Sequence, residues 1–125
     1  MRILLIGLGG GLGAILRYAL ATAVQSAVGG AFPLGTLLVN VLGCFGIGVL
    51  SGMAESRALG SPEARALLVV GLLGGFTTFS AFSLEAALMI EKRAYGQAFS
   101  YAAASVLLSV AALFAGLLIA RRVFA

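Results

Sequence analysis

In the ten residues from Gly74 to Ser83, GGFTTFSAFS, four hydroxyls, two adjacent glycines and three phenylalanines interrupt an otherwise apolar run. These residue types allow two kinds of chemistry. Glycines followed by the β-branched Thr77 and Thr78 weaken a helix, so a break is expected here. A break inside hydrocarbon leaves carbonyls unpaired, and they must then bind a cation, line a cavity or meet other protein groups. Beyond the break, Phe79 and Phe82 are three apart and share a helical face, with Ser80 and Ser83 beside them. Ring edges carry partial positive charge and hydroxyls donate hydrogen bonds, so this face can help an anion along without a formal cation.

Two other stretches carry polar groups that could join it. In GTLLVNVLGCFGIG, Thr36, Asn40 and Gly43 are spaced by four and three and lie on one face. An amide in hydrocarbon is costly without partners, so Asn40 must face protein or water. Tyr101, Ser105 and Ser109 are spaced by four and form a hydroxyl stripe. A single transmembrane serine often bonds back to a carbonyl one turn earlier. Three hydroxyls in line with Thr36 and Asn40 would instead make a ladder of donors.

Groups so placed need long apolar elements to hold them. The chain has 125 residues, 62% of them hydrophobic, and a mean hydropathy of +1.15, more apolar side chain than a soluble domain of this size can bury. A helix crosses the hydrocarbon layer in roughly 20 residues. The chain therefore reads as an all-α integral membrane protein, one domain over residues 1–125, with four spans at about residues 3–28, 34–54, 64–90 and 95–120 and the third broken near its centre. Charges and turn formers mark the limits: Gly29, Gly30 and Pro33, then ESRALGSPEAR, EKR at 91 to 93, and Arg121 with Arg122. In SPEAR, Ser61 before Pro62 and Glu63 has the form of a helix start. The first apolar segment is longer than a signal-peptide core and reads as a retained helix.

Several functions are excluded by residue type. There is no His and no Asp, the acids are Glu55, Glu63, Glu85 and Glu91, and Cys44 is the single thiol. No catalytic triad, Cys/His pair or His-based metal cluster can be assembled, so the chain is not an enzyme. Cys44, inside the second span, reads as a buried structural thiol and excludes an internal disulfide. Net charge is +4, but the basic residues cluster at span ends, as expected beside phospholipid head groups rather than nucleic acid. Gly9, Gly11 and Ala14 match G-x-G-x-x-A, yet the first acid is Glu55, too distant to bind a ribose. Gly7, Gly9, Gly10, Gly11 and Gly13 read instead as a close-approach surface for another helix.

The segments GGGLGAILRY (9 to 18), GTLLVNVLGCFGIG (35 to 48) and GGFTTFSAFSLE (74 to 85) together resemble the Fluc (CrcB) family of fluoride channels, and the likeness runs through all four spans. The resemblance implies an antiparallel, dual-topology homodimer in a prokaryotic plasma or inner membrane, with two fluoride pores and a central structural sodium ion, Na+. It assigns the sodium to carbonyls of Gly74 and Thr77 from both subunits and the pore rings to Phe79 and Phe82. Asn40 would donate to fluoride, and Tyr101, Ser105 and Ser109 would form a polar track. Ser80 would lie beside the pore rings, while Thr36, Ser83 and Glu85 would lie toward one pore end. Arg17 would sit near a vestibule. Ala81 stands where the family often has threonine, which removes one hydroxyl.

Fluoride is small and strongly hydrated, so a selective pore must replace its water with short, numerous donors. Neutral Asn, Ser, Thr and Tyr donors release the ion more readily than Lys or Arg, and no basic residue is expected near the break. Arg2, Arg57, Arg65, Arg121 and Arg122 fall on the side of the N-terminus, against Lys92 and Arg93 on the other. That modest bias leaves both orientations open. The rival readings are a small proton-coupled multidrug exporter, for which Glu85 would be the intramembrane carboxylate, and a purely structural membrane protein, which would need neither break nor ladder.

Overall fold

The computed structural model describes residues 1–125, and every regular element in it is helical. The order is α1 (Arg2–Val28), α2 (Leu34–Glu55), α3 (Pro62–Arg65), a π-helical stretch (Ala66–Leu73), α4 (Gly74–Phe76), α5 (Phe79–Glu91) and α6 (Tyr95–Val123). The segment Pro62–Glu91 forms one interrupted span, and with α1, α2 and α6 it makes four helices long and apolar enough to cross a membrane. The expectation of an all-α chain with four spans is thus met.

Local chemistry sets the ends. Gly29 and Gly30, at φ 72° and 79°, take the left-handed conformation that closes α1. At the third span, Ser61 Oγ accepts from the Ala64 amide at 3.2 Å, with Pro62 as the first helical residue. Arg57 and Arg93 occupy left-handed positions after α2 and α5, at φ 63° and 60°.

The interior is made of backbone as much as of side chains. Val39 and Tyr101 are the only large side chains that are fully buried, while leucines, isoleucines and phenylalanines cover the outside. That inverted distribution suits a lipid solvent, in which packing rather than water exclusion holds helices together. Where α2 runs along α6, a Cβ on Gly48 would overlap the Leu113 carbonyl, and one on Gly116 would overlap that of Phe45. Where α1 runs along the first half of the third span, a Cβ on Gly13 would overlap the Leu72 carbonyl, and one on Gly75 that of Gly10. Gly9, Gly10 and Gly13 therefore face another helix as expected, whereas Gly7 and Gly11 have nothing within 4 Å of a Cβ and face outward.

The third span differs in detail from its sequence expectation. Gly74 and Gly75 remain helical, and the chain leaves the helix at Thr77 (φ −81°, ψ 154°) and Thr78 (φ −150°, ψ 118°). The threonines, not the glycines, make the break, because Thr78 finds backbone and side-chain partners outside the helix, described below. The glycines serve close packing on α1. The π-helical stretch before them has no counterpart in the sequence pattern, since its apolar residues fit an α-helix equally well.

Candidate functional site

The break is held by one side chain. Asn40, in the first third of α2, receives the Thr78 amide on Oδ1 at 2.8 Å and donates Nδ2 to the Thr78 carbonyl at 3.0 Å. Its carboxamide thus replaces the two helical partners that the backbone of Thr78 gives up. One Nδ2 hydrogen remains for another acceptor. Asn40 can reach Thr78 because Gly43, one turn further along α2, packs directly on the Thr77 methyl.

The same rearrangement releases carbonyls. In a continuous α-helix the Thr78 amide would bond to the Gly74 carbonyl and the Ala81 amide to the Thr77 carbonyl. Here the first goes to Asn40, and the second goes to Thr78 Oγ1 at 3.1 Å, which caps α5. Gly74 and Thr77 each lose their α-helical donor. The chemistry of that pair, two neutral carbonyl oxygens three residues apart, suits a hard cation better than a soft metal. No cluster of His, Cys, Asp or Glu competes for such a role.

Arg17 corrects the expectation that no basic residue is near the break. Its Nε donates to the Gly75 carbonyl at 3.3 Å. Sequence distance hid this contact, because α1 crosses the third span with its glycines at that level. The half-buried guanidinium is not among the groups that line the cavity described next.

A cavity of about 260 Å³ opens beside the break, lined by Asn40, Cys44, Thr77, Thr78, Phe79, Phe82, Ser105, Val106 and Ser109. Three separate sequence stretches meet there. The Phe79 and Phe82 rings are 5.5 Å apart and tilted by 41°. Ser105 Oγ is buried without any hydrogen-bond partner, an unmet donor. Cys44 is only half-buried and lines the cavity, which corrects the reading of a buried structural thiol. The small Gly43 beside it lets α2 approach the break and leaves the neighbouring thiol at the cavity wall.

Thr36, Tyr101 and Glu85 lie apart from this cavity. Tyr101 is fully buried, with its ring 5.0 Å from Phe82 and its hydroxyl 3.5 Å from Glu85 Oε1. Thr36 and Glu85 line a second, polar hollow of about 570 Å³ that also includes Gln25 and Thr22. The polar residues therefore run from Thr36, Tyr101 and Glu85 past Phe82 to Ser105, Asn40 and Ser109. Ser80 and Ser83 are exposed and line neither space. Ser80 Oγ pairs with Thr78 Oγ1 at 3.2 Å.

Comparison with known proteins identifies the family. The family described as CrcB-like protein, Camphor Resistance (CrcB), matches residues 4–117. A Caulobacter vibrioides protein named Fluoride-specific ion channel FluC is 55% identical over 125 residues, covering 99% of this chain and 98% of the relative. The Phenylobacterium zucineum protein of the same name is 57% identical over 124 residues, 98% of each chain. That of Rhodospirillum centenum is 51% identical over 119 residues, 95% of this chain and 94% of the relative. With a match that spans all four helices and the break, the chain belongs to the CrcB-like family.

Proposed function

We propose that this protein is a fluoride-selective channel that lets fluoride leave the cell passively and so relieves its toxicity. The observation that carries this reading is the cavity at the break. There the spare Nδ2 hydrogen of Asn40, the unpartnered hydroxyl of Ser105 and the rings of Phe79 and Phe82 meet with no formal charge among them. Such a wall can replace part of an anion's hydration shell without trapping it. The relatives carry a channel's name and not an enzyme's, and a multi-pass position in the plasma or inner membrane accords with four apolar spans. Reconstituted in liposomes, the protein should release fluoride rapidly and chloride negligibly. Release of organic cations driven by a pH gradient would favour the exporter instead.

The working unit in this reading is an antiparallel homodimer with two pores and a central sodium ion. Outward-facing Gly7 and Gly11 offer a second copy a small-residue surface. The carbonyls of Gly74 and Thr77, freed of their α-helical donors, would hold the ion, joined by the same pair of the second copy. Removal of sodium should then lower both dimer stability and fluoride flux, while potassium at equal ionic strength should not restore them. For orientation, a compartment-sensitive reporter on the C-terminus should report both sides of the membrane. A single orientation would refute dual topology.

A further inference from the structure

Gln25 makes three of the side-chain hydrogen bonds in the turn between α1 and α2. Its Nε2 donates to the carbonyls of Gly30 and Phe32, each at 3.1 Å, and its Oε1 accepts from the Gly35 amide at 3.2 Å. Both amide hydrogens are engaged. The turn itself is already specified by Gly29 and Gly30 in left-handed conformations and by Pro33. What the glutamine adds is a fixed place for Phe32.

Phe32 begins a row of four rings. It meets Tyr101 edge to face, with centroids 5.6 Å apart and planes at 81°. Tyr101 in turn lies 5.0 Å from Phe82, and Phe82 lies 5.5 Å from Phe79. The row runs from the turn to the wall of the cavity at the break. Phe82 and Phe79 line that cavity, while Phe32 and Gln25 lie outside it. Leu37, Met89 and Ala98 form one buried cluster with Tyr101.

We propose that Phe32, held by Gln25, is a positioning residue for the anion path. Its ring fixes the plane of Tyr101, and through Tyr101 the tilt at which Phe82 meets the cavity. Without that ring, Tyr101 and Phe82 gain room to rotate, and the path loses both its set width and its preference for a small anion. The inference rests on the fluoride-channel reading, which wild-type efflux tests on its own.

Phe32→Leu keeps apolar bulk and removes the ring. Recorded from single channels in planar bilayers, it should lower unitary fluoride conductance severalfold, because Tyr101 and Phe82 are no longer held in one orientation at the path. The preference for fluoride over chloride should fall as well, with the fraction of liposomes that contain an active channel unchanged. Phe32→Tyr, which keeps the ring, should restore wild-type conductance. Gln25→Ala should act in the same direction but less, and the double substitution should be no worse than Phe32→Leu alone, since both act through one ring. If Phe32→Leu does not reconstitute, Gln25→Ala carries the test by the same readout. Wild-type unitary conductance in the variants, or a loss confined to the number of active liposomes, overturns the inference while leaving the channel reading intact. A wild-type protein that passes no fluoride overturns both.

Discussion

The two halves of the third span are built by different means. Before the break, residues 62–76 lie against α1, and contact is backbone to backbone: Gly71 against Gly9, Leu72 against Gly13 and Gly75 against Gly10. After it, α5 touches α6 and α2 through side chains, chiefly the ring stack of Phe79, Phe82 and Tyr101 and the Tyr101–Glu85 contact. The first half has no room for a side chain at its glycine crossing, and its polar contacts with α1 are the Arg17–Gly75 bond and the Arg2–Glu63 pair at its outer end. The second half places rings and hydroxyls around open space. The break, pinned by Asn40 on the backbone of Thr78, thus separates a half that is close-packed on α1 from a half that carries a cavity.

Substitutions that add or remove one group in each half should separate these roles. The largest effect is expected from Gly13→Leu, which forces a side chain into the Leu72 carbonyl. Overpacking typically costs about 1–3 kcal/mol and occasionally more, and here the clash is with backbone on two sides that cannot yield, so the variant should fail to elute as a folded species, whereas Gly7→Ala, which meets nothing in the protomer, should leave helix content unchanged by circular dichroism. Next is Asn40→Ala. Losing both bonds to Thr78 leaves a half-buried amide and carbonyl without protein partners, at about 1 to 3 kcal/mol, and thermal unfolding in detergent should show it together with a fall in fluoride efflux. Asn40→Asp keeps an acceptor for the Thr78 amide but removes the donor and puts negative charge beside the cavity. Efflux should stop while part of the stability returns.

Smaller effects should follow for the α5 cap and for the membrane surface. Thr78→Val removes the hydroxyl that accepts from the Ala81 amide and should cost about 1 kcal/mol, read as a modest drop in melting temperature. The change also removes the partner of Ser80. Arg121→Gln breaks a two-point pair with Glu55, both contacts at 2.9 Å. This pair is solvent-exposed, so melting temperature and flux should stay at wild-type values.

Particular residues show what could be read without coordinates. The four spans were legible because apolar runs of membrane length are bounded by charges and turn formers. Asn40 was legible as a residue in need of a partner, since hydrocarbon forbids an idle amide. That its partner is the backbone of Thr78 could not be read, because the spacing of 38 residues says nothing about which helix faces which. Arg17 illustrates the same limit more sharply: its contact with Gly75 spans 58 residues and depends on the glycine crossing that brings α1 alongside. The π-helical stretch leaves no trace in a hydrophobic pattern with neither a break nor a polar residue. Gln25 and Phe32 passed unnoticed because their role depends on the fold of a turn rather than on span periodicity. The unmet hydrogen-bonding need of Gln25, at the end of an apolar run, was the available signal.

The central claim is that an anion passes beside the break between aromatic walls. Its most direct test is fluoride efflux from liposomes containing Phe79→Ile or Phe82→Ile, each checked for an unchanged elution profile. The account predicts that efflux is abolished in both variants while the protein remains folded and assembled. Efflux at the wild-type rate from both would contradict it.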